Sequence, residues 1–308
     1  MRTTAWRRLA VLLPVLTVAA ACDPAPSEPA DVARLLHERE DRNRALEQRA
    51  AELKAALDSD PCPPGRDAAG PVPVQEATLP PGKPLAREAL VRRLEAATVL
   101  VLAPPMTGSG FFVTPDTIIT NRHVVEKVED GDVIVIGKAV PQPLRAQVLA
   151  MSPPTPEGSA GRDYAILRVD GGRAAQTLSI ATAVTPLEEV VAAGFPGLLL
   201  SNDSRFQALL NGDLAAIPDL ALSRGEVMAV QNRDHGFATI AHSAQISSGS
   251  SGGPLTDRCG RVVGINTFMT VDAKESSKAG FALAGADLAA FIAERGLRLP
   301  LADGPCRD

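Results

Sequence analysis

Three polar residues, His123, Asp163 and Ser251, have types and surroundings suited to acyl transfer. A serine hydroxyl is a weak nucleophile at neutral pH, so it needs a base, and histidine is the side chain that titrates near neutrality. A carboxylate can hold the imidazole in the required tautomer. A nucleophile, a general base and an acid that orients the base need residues of these three types.

The strongest of the three signals is the segment SSGSSGGPL at 247–255. A glycine at 249 permits a tight turn that aims backbone N–H groups into one oxyanion hole, and we expect the donors to be those of Gly249 and Ser251. A flexible Gly/Ser linker is the alternative interpretation. The segment runs directly into Pro254, Leu255 and an apolar run, which favours a loop within a fold.

The other two signals are weaker when taken alone. His123 lies in TNRHVV, directly behind a predicted strand, but an isolated histidine is more often structural than catalytic. Asp163 precedes the apolar run AILRV, where an acid is usually a solvated turn residue.

The segments that must position these residues are short and rich in Val and Ile. Many short strands without long intervening helices predict an all-β sandwich or barrel. Helices are predicted at 85–97 and near the C-terminus, where Asp287 is expected to cap and Gly296 to end the helix. The predicted strands are 98–103, 110–114, 117–121, 132–137, 145–151, 164–169, 190–195, 225–230, 238–244, 261–268 and 280–285.

The motifs T-N-x-H-V-V, D-x-A-x-L and G-x-S-G-G-P, in this order, resemble the chymotrypsin-like (trypsin-fold) serine peptidases. The stretch GSGFFVTPDTIITNRHVV and the later GEVMAV, GRVVGINT and GFAL are similar to bacterial HtrA/Deg peptidases, although no PDZ domain is expected here. The resemblance covers roughly 95–295. It implies two six-stranded antiparallel barrels, with the site in the cleft between them. It also implies that Ser251 is the nucleophile, His123 the general base and Asp163 the acid that orients His123. Asp116, Asp132 and Asp170 are rivals of Asp163 that lack the D-x-A-x-L context.

The resemblance also locates a specificity pocket. Its floor falls at or near Gln245, and no acid lies between Ser243 and Ser250, which disfavours cleavage after Arg or Lys. We expect a preference for small or medium apolar residues. The 197–222 stretch is apolar enough to cover the cleft or bind a partner, although a surface insertion is the favoured interpretation. The expected pocket residues are Gln245, Ile246, Asn266, Thr267, Phe268 and Gly280.

The N-terminus has the features of a secretory signal: basic residues, an apolar run at 9–21 and small residues before Cys22. Cleavage by ordinary signal peptidase and cleavage of a bacterial lipoprotein signal are both possible. The second is favoured, with residues 1–21 removed and Cys22 lipidated. Both place the mature protein outside the cytoplasm, in the periplasm or cell envelope, and the second also tethers it to a membrane.

A tether is predicted at 22–84, before the peptidase domain at 85–298 and a tail at 299–308. Residues 31–58 lack Pro and Gly and predict a helix, whereas 59–84 form a Pro-rich linker. A single solvated helix is favoured over a short coiled coil through 31–58, in which Asn43 at an a position would set a parallel dimer. If Cys22 is lipidated, Cys62, Cys259 and Cys306 remain, and Cys306 could pair with either of the other two.

Composition excludes other classes. A net charge of -5 disfavours nucleic-acid binding, which needs a basic face. The chain has no Cys/His cluster that suggests zinc, and no cofactor is expected. The favoured hypothesis is a membrane-tethered serine endopeptidase acting on protein or peptide substrates. The alternative is a catalytically silent binding or regulatory module with the same fold.

Overall fold

The computed structural model describes 78–79, 82–128, 131–140, 142–154, 161–169, 174–233, 237–272, 277–299, 301–302, 304 and 306–307. The predicted signal sequence, Cys22, the 31–58 helix, Cys62 and most of the 59–84 linker lie outside the described residues.

The described residues form mostly strands. In chain order they are β1 (Thr78–Leu79), β2 (Thr98–Ala103), β3 (Met106–Phe112), β4 (Thr117–Thr120), β5 (Asp132–Ile136), β6 (Leu144–Met151), β7 (Ala165–Val169), β8 (Ile180–Ala181), β9 (Glu189–Gly194), β10 (Ala221–Gln231), β11 (Thr239–His242), β12 (Pro254–Asp257), β13 (Val262–Asp272), β14 (Ser277–Ala284) and β15 (Leu301–Ala302). The helices are α1 (Arg87–Glu95), α2 (Arg122–Val125), α3 (Gly197–Leu200), α4 (Ser204–Leu210) and α5 (Gly285–Glu294).

Six strands close the first barrel in the order β2-β3-β4-β7-β6-β5, with antiparallel neighbours throughout. Side chains along β2 alternate between the two faces of the sheet, and each face packs in an apolar cluster. Val99 and Val101 belong to the cluster of buried residues in this barrel. Leu100, which points the other way, packs with Ile136 and Phe195 in a separate cluster.

The second barrel contains β9, β10, β11, β14, β13 and β12, and the β13–β14 pairing closes the ring. All six pairings are antiparallel. β8, β15 and β1 extend this sheet beside β13 through parallel pairings. The predicted all-β fold with two six-stranded antiparallel barrels is therefore confirmed.

The C-terminal helix begins earlier than predicted. Its N-cap is Ala284, which has no side-chain capping bond, so the expectation that Asp287 caps the helix is wrong. Asp287 lies in the first turn and its carboxylate accepts a hydrogen bond from the Ala238 N–H of the second barrel. Leu288, Phe291 and Ile292 form the buried face, as their spacing predicts, and Gly296 follows the helix with φ +76°.

The segment after this helix is fastened to the second barrel. Cys259 and Cys306 form a disulfide, which decides between the two partners that the sequence left open for Cys306. Arg261 lies beside it, forms a buried ion pair with Asp257 and donates to the Gly304 carbonyl. This ion pair and the disulfide hold the C-terminal segment against the turn at 257–261.

Candidate active site

His123 comes from the end of the first barrel, where β4 leads into the short helix α2. Asn121 occupies the N-cap of α2 but makes no side-chain capping bond. Its buried amide instead donates to the Asp163 carbonyl at 2.7 Å and to the Thr267 hydroxyl at 3.2 Å. Asn121 therefore connects the segment that carries His123 to Asp163 and to the second barrel.

Asp163 holds His123 at two points. One carboxylate oxygen accepts from the His123 backbone N–H at 2.9 Å, and the other lies 2.6 Å from Nδ1 of the ring. A carboxylate can only accept hydrogen bonds, so Nδ1 carries the hydrogen in this pair. That tautomer leaves Nε2 free to accept a proton, as a general base must.

The backbone on both sides of Asp163 is fixed by one buried serine. The Ser152 hydroxyl donates to the Arg162 carbonyl at 3.0 Å and accepts from the Tyr164 N–H at 3.1 Å. Tyr164 is fully buried and its ring lies 5.4 Å from that of Phe291. Burial raises the pKa of the Tyr164 phenol far above its usual value. Asp163 thus projects from a rigid start of β7.

The rival acids have other partners. The hydrogen bond from the Thr114 hydroxyl, helped by one from Thr117, lowers the pKa of the Asp116 carboxyl. Asp132 pairs with Arg145 at 2.8 Å. Asp170 lies outside the described residues.

Ser251 lies on the loop before β12. Its hydroxyl donates to the Thr267 carbonyl at 3.0 Å rather than to His123. Gly249, two residues earlier, has φ +92°, a conformation that favours glycine. Within the described part of the chain, neither the Gly249 N–H nor the Ser251 N–H donates to a hydrogen bond. Backbone N–H groups without an acceptor are what an oxyanion hole needs.

Close packing joins the two sides of the site. A Cβ at Gly108 of β3 would lie 2.6 Å from Val124, the neighbour of His123, and 3.0 Å from the Ser251 carbonyl. A Cβ at Gly252 would lie 2.2 Å from the Ser109 carbonyl. These two glycines allow the loop at 247–253, the predicted nucleophile loop, to lie directly against the segments that carry Ser109 and His123.

The predicted pocket residues separate into two groups. Gln245, Ile246 and Gly280 line a cavity of about 400 Å³ beside Ser250. Asn266, Thr267 and Phe268 do not line it. The Asn266 side chain is completely buried and donates to the carbonyls of Gly253 and Pro254, so it supports the loop.

Phe268 lies on the exposed side of β13. It is 45% exposed and stacks on Phe281 with ring centroids 4.8 Å apart.

Other cavity residues were missed by sequence reasoning, because they come from distant segments. Lys278 lies on β14, and Leu198 and Leu199 lie on α3, in the insertion at 197–222. Leu200 and Leu209 of the insertion pack with Leu100 of the first barrel, whereas Leu198 and Leu199 are 72% and 55% exposed. The insertion therefore packs on the surface, as favoured, and adds an apolar wall to the cavity.

Asp257, Cys259 and Cys306 are close enough to suggest a metal site. Both sulfurs belong to the disulfide and the Asp257 carboxylate pairs with Arg261, so these contacts account for the cluster. None of the described helices has the length and hydropathy needed to cross a membrane.

A family model described as the trypsin-like peptidase domain matches residues 108–265, just over half of the chain. Serine protease Rv3671c of Mycobacterium tuberculosis is 28% identical over 209 residues, which cover 65% of this chain and 45% of that protein. Serine protease HTRA1 of Xenopus laevis is 30% identical over 199 residues, 62% of this chain and 36% of that protein. The chain spans less than half the length of these two relatives.

Solved structures agree on the fold. The serine endoprotease from Yersinia pestis is 25% identical, with a TM-score of 0.50, over 69% of this chain and 66% of that one. The active form of the Rv3671c protease is 22% identical, with a TM-score of 0.50, over 77% of this chain and 98% of that one. The resemblance inferred from the motifs is confirmed.

Proposed function

Since this chain belongs to the family of trypsin-like peptidase domains, we propose that it is a serine endopeptidase that cleaves protein substrates through an acyl-enzyme on Ser251. The observation that carries the proposal is the two-point contact between Asp163 and His123 beside a loop with free Gly249 and Ser251 amides. The relatives named above are called serine proteases, which supports the same activity.

The proposed reaction follows from these groups. Nε2 of His123 takes the proton from the Ser251 hydroxyl while Oγ bonds to the substrate carbonyl carbon. The N–H groups of Gly249 and Ser251 donate to the oxyanion that forms. The imidazolium, stabilised by Asp163, then gives its proton to the leaving amine and the C–N bond breaks. Water then attacks the acyl carbon while His123 takes one of its protons, the bond from this carbon to Ser251 Oγ breaks, and His123 returns the proton to Ser251 as the carboxylic acid leaves.

One rearrangement must precede attack. The Ser251 hydroxyl donates to Thr267, so it has to exchange this hydrogen bond for one to His123. If the exchange never occurs, the domain is the catalytically silent binding module of the alternative hypothesis. The Ser251–Thr267 hydrogen bond is the observation that keeps this second candidate open.

We also propose a preference for small or medium apolar residues on the acyl side of the cleaved bond. Among the described residues, the cavity beside Ser250 is lined mainly by Ala, Ser, Leu and Gly, with no acid and with Lys278 as the one charged side chain. A cation there repels Arg and Lys substrates. Cleavage of a peptide library measures the preference, and a dominant Arg or Lys would contradict it.

Labelling with a fluorophosphonate tests the activity, because this reagent phosphonylates an activated serine. Wild type should label and Ser251→Ala should not. Ser248→Ala, on the same loop, controls for a change of surface and should label like wild type. An unlabelled but folded wild type would favour the silent module.

The location remains a proposal from the sequence. We propose that the protein is extracytoplasmic and anchored through lipidated Cys22, with 22–84 as its tether and the 31–58 helix solvated rather than dimeric. The Cys259–Cys306 disulfide supports an oxidising compartment. Incorporation of radiolabelled palmitate that Cys22→Ala abolishes is the expected result, and incorporation that survives the substitution contradicts it.

A further inference from the structure

Ser109 on β3 is completely buried, and each of its polar groups is bonded. Its N–H donates to the Ser251 carbonyl at 2.8 Å and its hydroxyl donates to the Gly249 carbonyl at 2.7 Å. The hydroxyl accepts from the Phe195 N–H at 2.9 Å. The Ser109 carbonyl accepts from the Thr120 hydroxyl at 2.7 Å. One residue of the first barrel thus contacts the nucleophile loop at both Gly249 and Ser251.

These contacts fix the peptide planes around Gly249. The Ser248 carbonyl accepts from the Gly197 N–H at 2.8 Å, which orients the peptide group that contains the Gly249 N–H. The Ser109 hydroxyl orients the next peptide group through the Gly249 carbonyl. Because each peptide group is planar, the two contacts together fix the backbone dihedrals of Gly249. A glycine has no side-chain restriction of its own that would hold φ at +92°.

The hydroxyl of Ser109 also has a defined direction. A serine hydroxyl has one hydrogen to donate, and acceptance from the Phe195 N–H leaves that hydrogen for the Gly249 carbonyl. Phe195 and Gly197 belong to the same short segment after β9, so this segment supports Gly249 both directly and through Ser109. Among the described residues, neither the Gly249 N–H nor the Ser251 N–H has a hydrogen-bond acceptor.

We propose that Ser109 is a positioning residue for the oxyanion hole: its buried hydroxyl holds the Gly249 carbonyl so that the Gly249 and Ser251 N–H groups stay available to the substrate oxygen. The inference rests on the proposed peptidase function. Ser109 touches no reacting atom in this scheme and acts through the loop.

The test compares Ser109→Ala with a control variant, Thr256→Val. Thr256 lies in the second barrel, and its fully buried hydroxyl donates to the Val191 carbonyl at 3.3 Å. The substrate is a chromogenic peptide ester with alanine at the cleaved position. For Ser109→Ala, kcat should fall roughly 100-fold while KM changes less than about 3-fold. Thr256→Val should stay within about 3-fold of wild type in both. Equal losses in the two variants, or a rise in KM alone, would overturn the proposal.

A thionoester of the same peptide allows a second measurement, the ratio of the rates with the oxygen ester and the thionoester. A general loss of stability would not change this ratio. Sulfur accepts hydrogen bonds weakly, so an intact oxyanion hole favours the oxygen ester. Ser109→Ala should lose at least about 10-fold of this preference, and an unchanged preference counts against the proposal. If Ser109→Ala does not fold, Ser109→Cys serves in its place, since a thiol is a poor donor to Gly249.

A separate measurement distinguishes failure of this inference from failure of the proposed function. If wild type is folded but resists fluorophosphonate, the peptidase proposal fails. Crystal structures of wild type and Ser109→Ala then decide the positioning role. A Gly249 carbonyl that turns away in the variant supports it, and an unchanged Gly249 contradicts it.

Discussion

The two sides of the candidate site are held in place by different means. On the first barrel, the His123 and Asp163 side chains bond to each other, and Ser152 fixes the backbone around Asp163. On the second barrel, Ser251 depends on backbone contacts of a loop whose glycines lie against neighbouring chain segments. His123 is thus positioned by a bond between two side chains. The loop that carries Ser251 is held through its backbone, by close packing and by hydrogen bonds that Ser109 and Asn266 donate to its carbonyls.

This difference predicts two kinds of defect. An isosteric change in the His123–Asp163 pair should remove catalysis and leave the fold intact, because it alters charge without altering volume. A single methyl group added to the nucleophile loop should damage both, since the same atoms that place Ser251 also join the loop to the first barrel.

Gly252→Ala should have the largest effect. The new Cβ would lie 2.2 Å from the Ser109 carbonyl and 2.3 Å from the Thr120 hydroxyl, at φ +85°. We expect the free energy of unfolding to fall by about 3–5 kcal/mol and fluorophosphonate labelling to disappear. Urea denaturation and labelling measure the two effects.

Gly131→Ala is the matched control for backbone strain. Gly131 has φ +69° but no described atom within 4 Å of an added Cβ. Its cost should be about 1 kcal/mol, with labelling retained. If the two variants lose equal stability, contact with the first barrel is not what fixes the loop.

Asp163→Asn should remove most of the activity but leave the stability nearly unchanged. An amide in place of the carboxylate no longer enforces hydrogen on Nδ1 of His123, so kcat should fall about 10³–10⁴-fold. The free energy of unfolding should change by less than about 1 kcal/mol, because volume and most hydrogen bonds persist. Asp132→Asn, which alters an acid paired with exposed Arg145, should leave kcat unchanged. A large loss of stability in Asp163→Asn would remove the contrast between the two sides.

Features that depend on local sequence could be predicted, whereas features that depend on contacts between segments could not. His123, Asp163 and Ser251 lie in short local motifs, and the regular strands show in runs of Val and Ile, so both could be inferred. The role of Ser109 depends on contacts with residues far along the chain, and those contacts exist only after the two barrels pack together. The role of Asn266 depends on the pairing of β13 with β12. The GSG stretch forms part of the family resemblance, but nothing in the local sequence indicates that its serine bonds to Gly249.

Short elements were also missed for a physical reason. β8 and β15 have two residues each, too few for an alternating pattern, and form through parallel pairing beside β13. Asp287 has the residue type of a helix cap, but its carboxylate bonds to the Ala238 N–H instead. In each case a tertiary contact outweighed the local preference.

A smaller and pH-dependent effect should come from the histidine of the second barrel. His123 is 36% exposed and bonded to Asp163, whereas His242 is completely buried with no hydrogen-bond partner at either ring nitrogen among the described residues. Gly280 makes room for it, since a Cβ there would lie 2.5 Å from the ring. Burial lowers the pKa of His242 to about 4, and Ala244 and Asn266 oppose this only weakly because they do not reach hydrogen-bond geometry.

The sign of the pH effect follows from proton binding. An unfolded histidine titrates near 6.5, so between 6.5 and about 4 the unfolded chain holds a proton at His242 that the folded chain lacks. Stability from this group is therefore present above pH 6.5 and is lost as the pH falls to about 4, by about 3 kcal/mol in total. His242→Leu cannot titrate, so urea denaturation at about pH 7 and about pH 4 should show a loss about 3 kcal/mol smaller than in wild type. Equal losses would mean that the second barrel accommodates the protonated His242 ring without a cost in stability. Burial would then not distinguish His242 from the partly exposed His123.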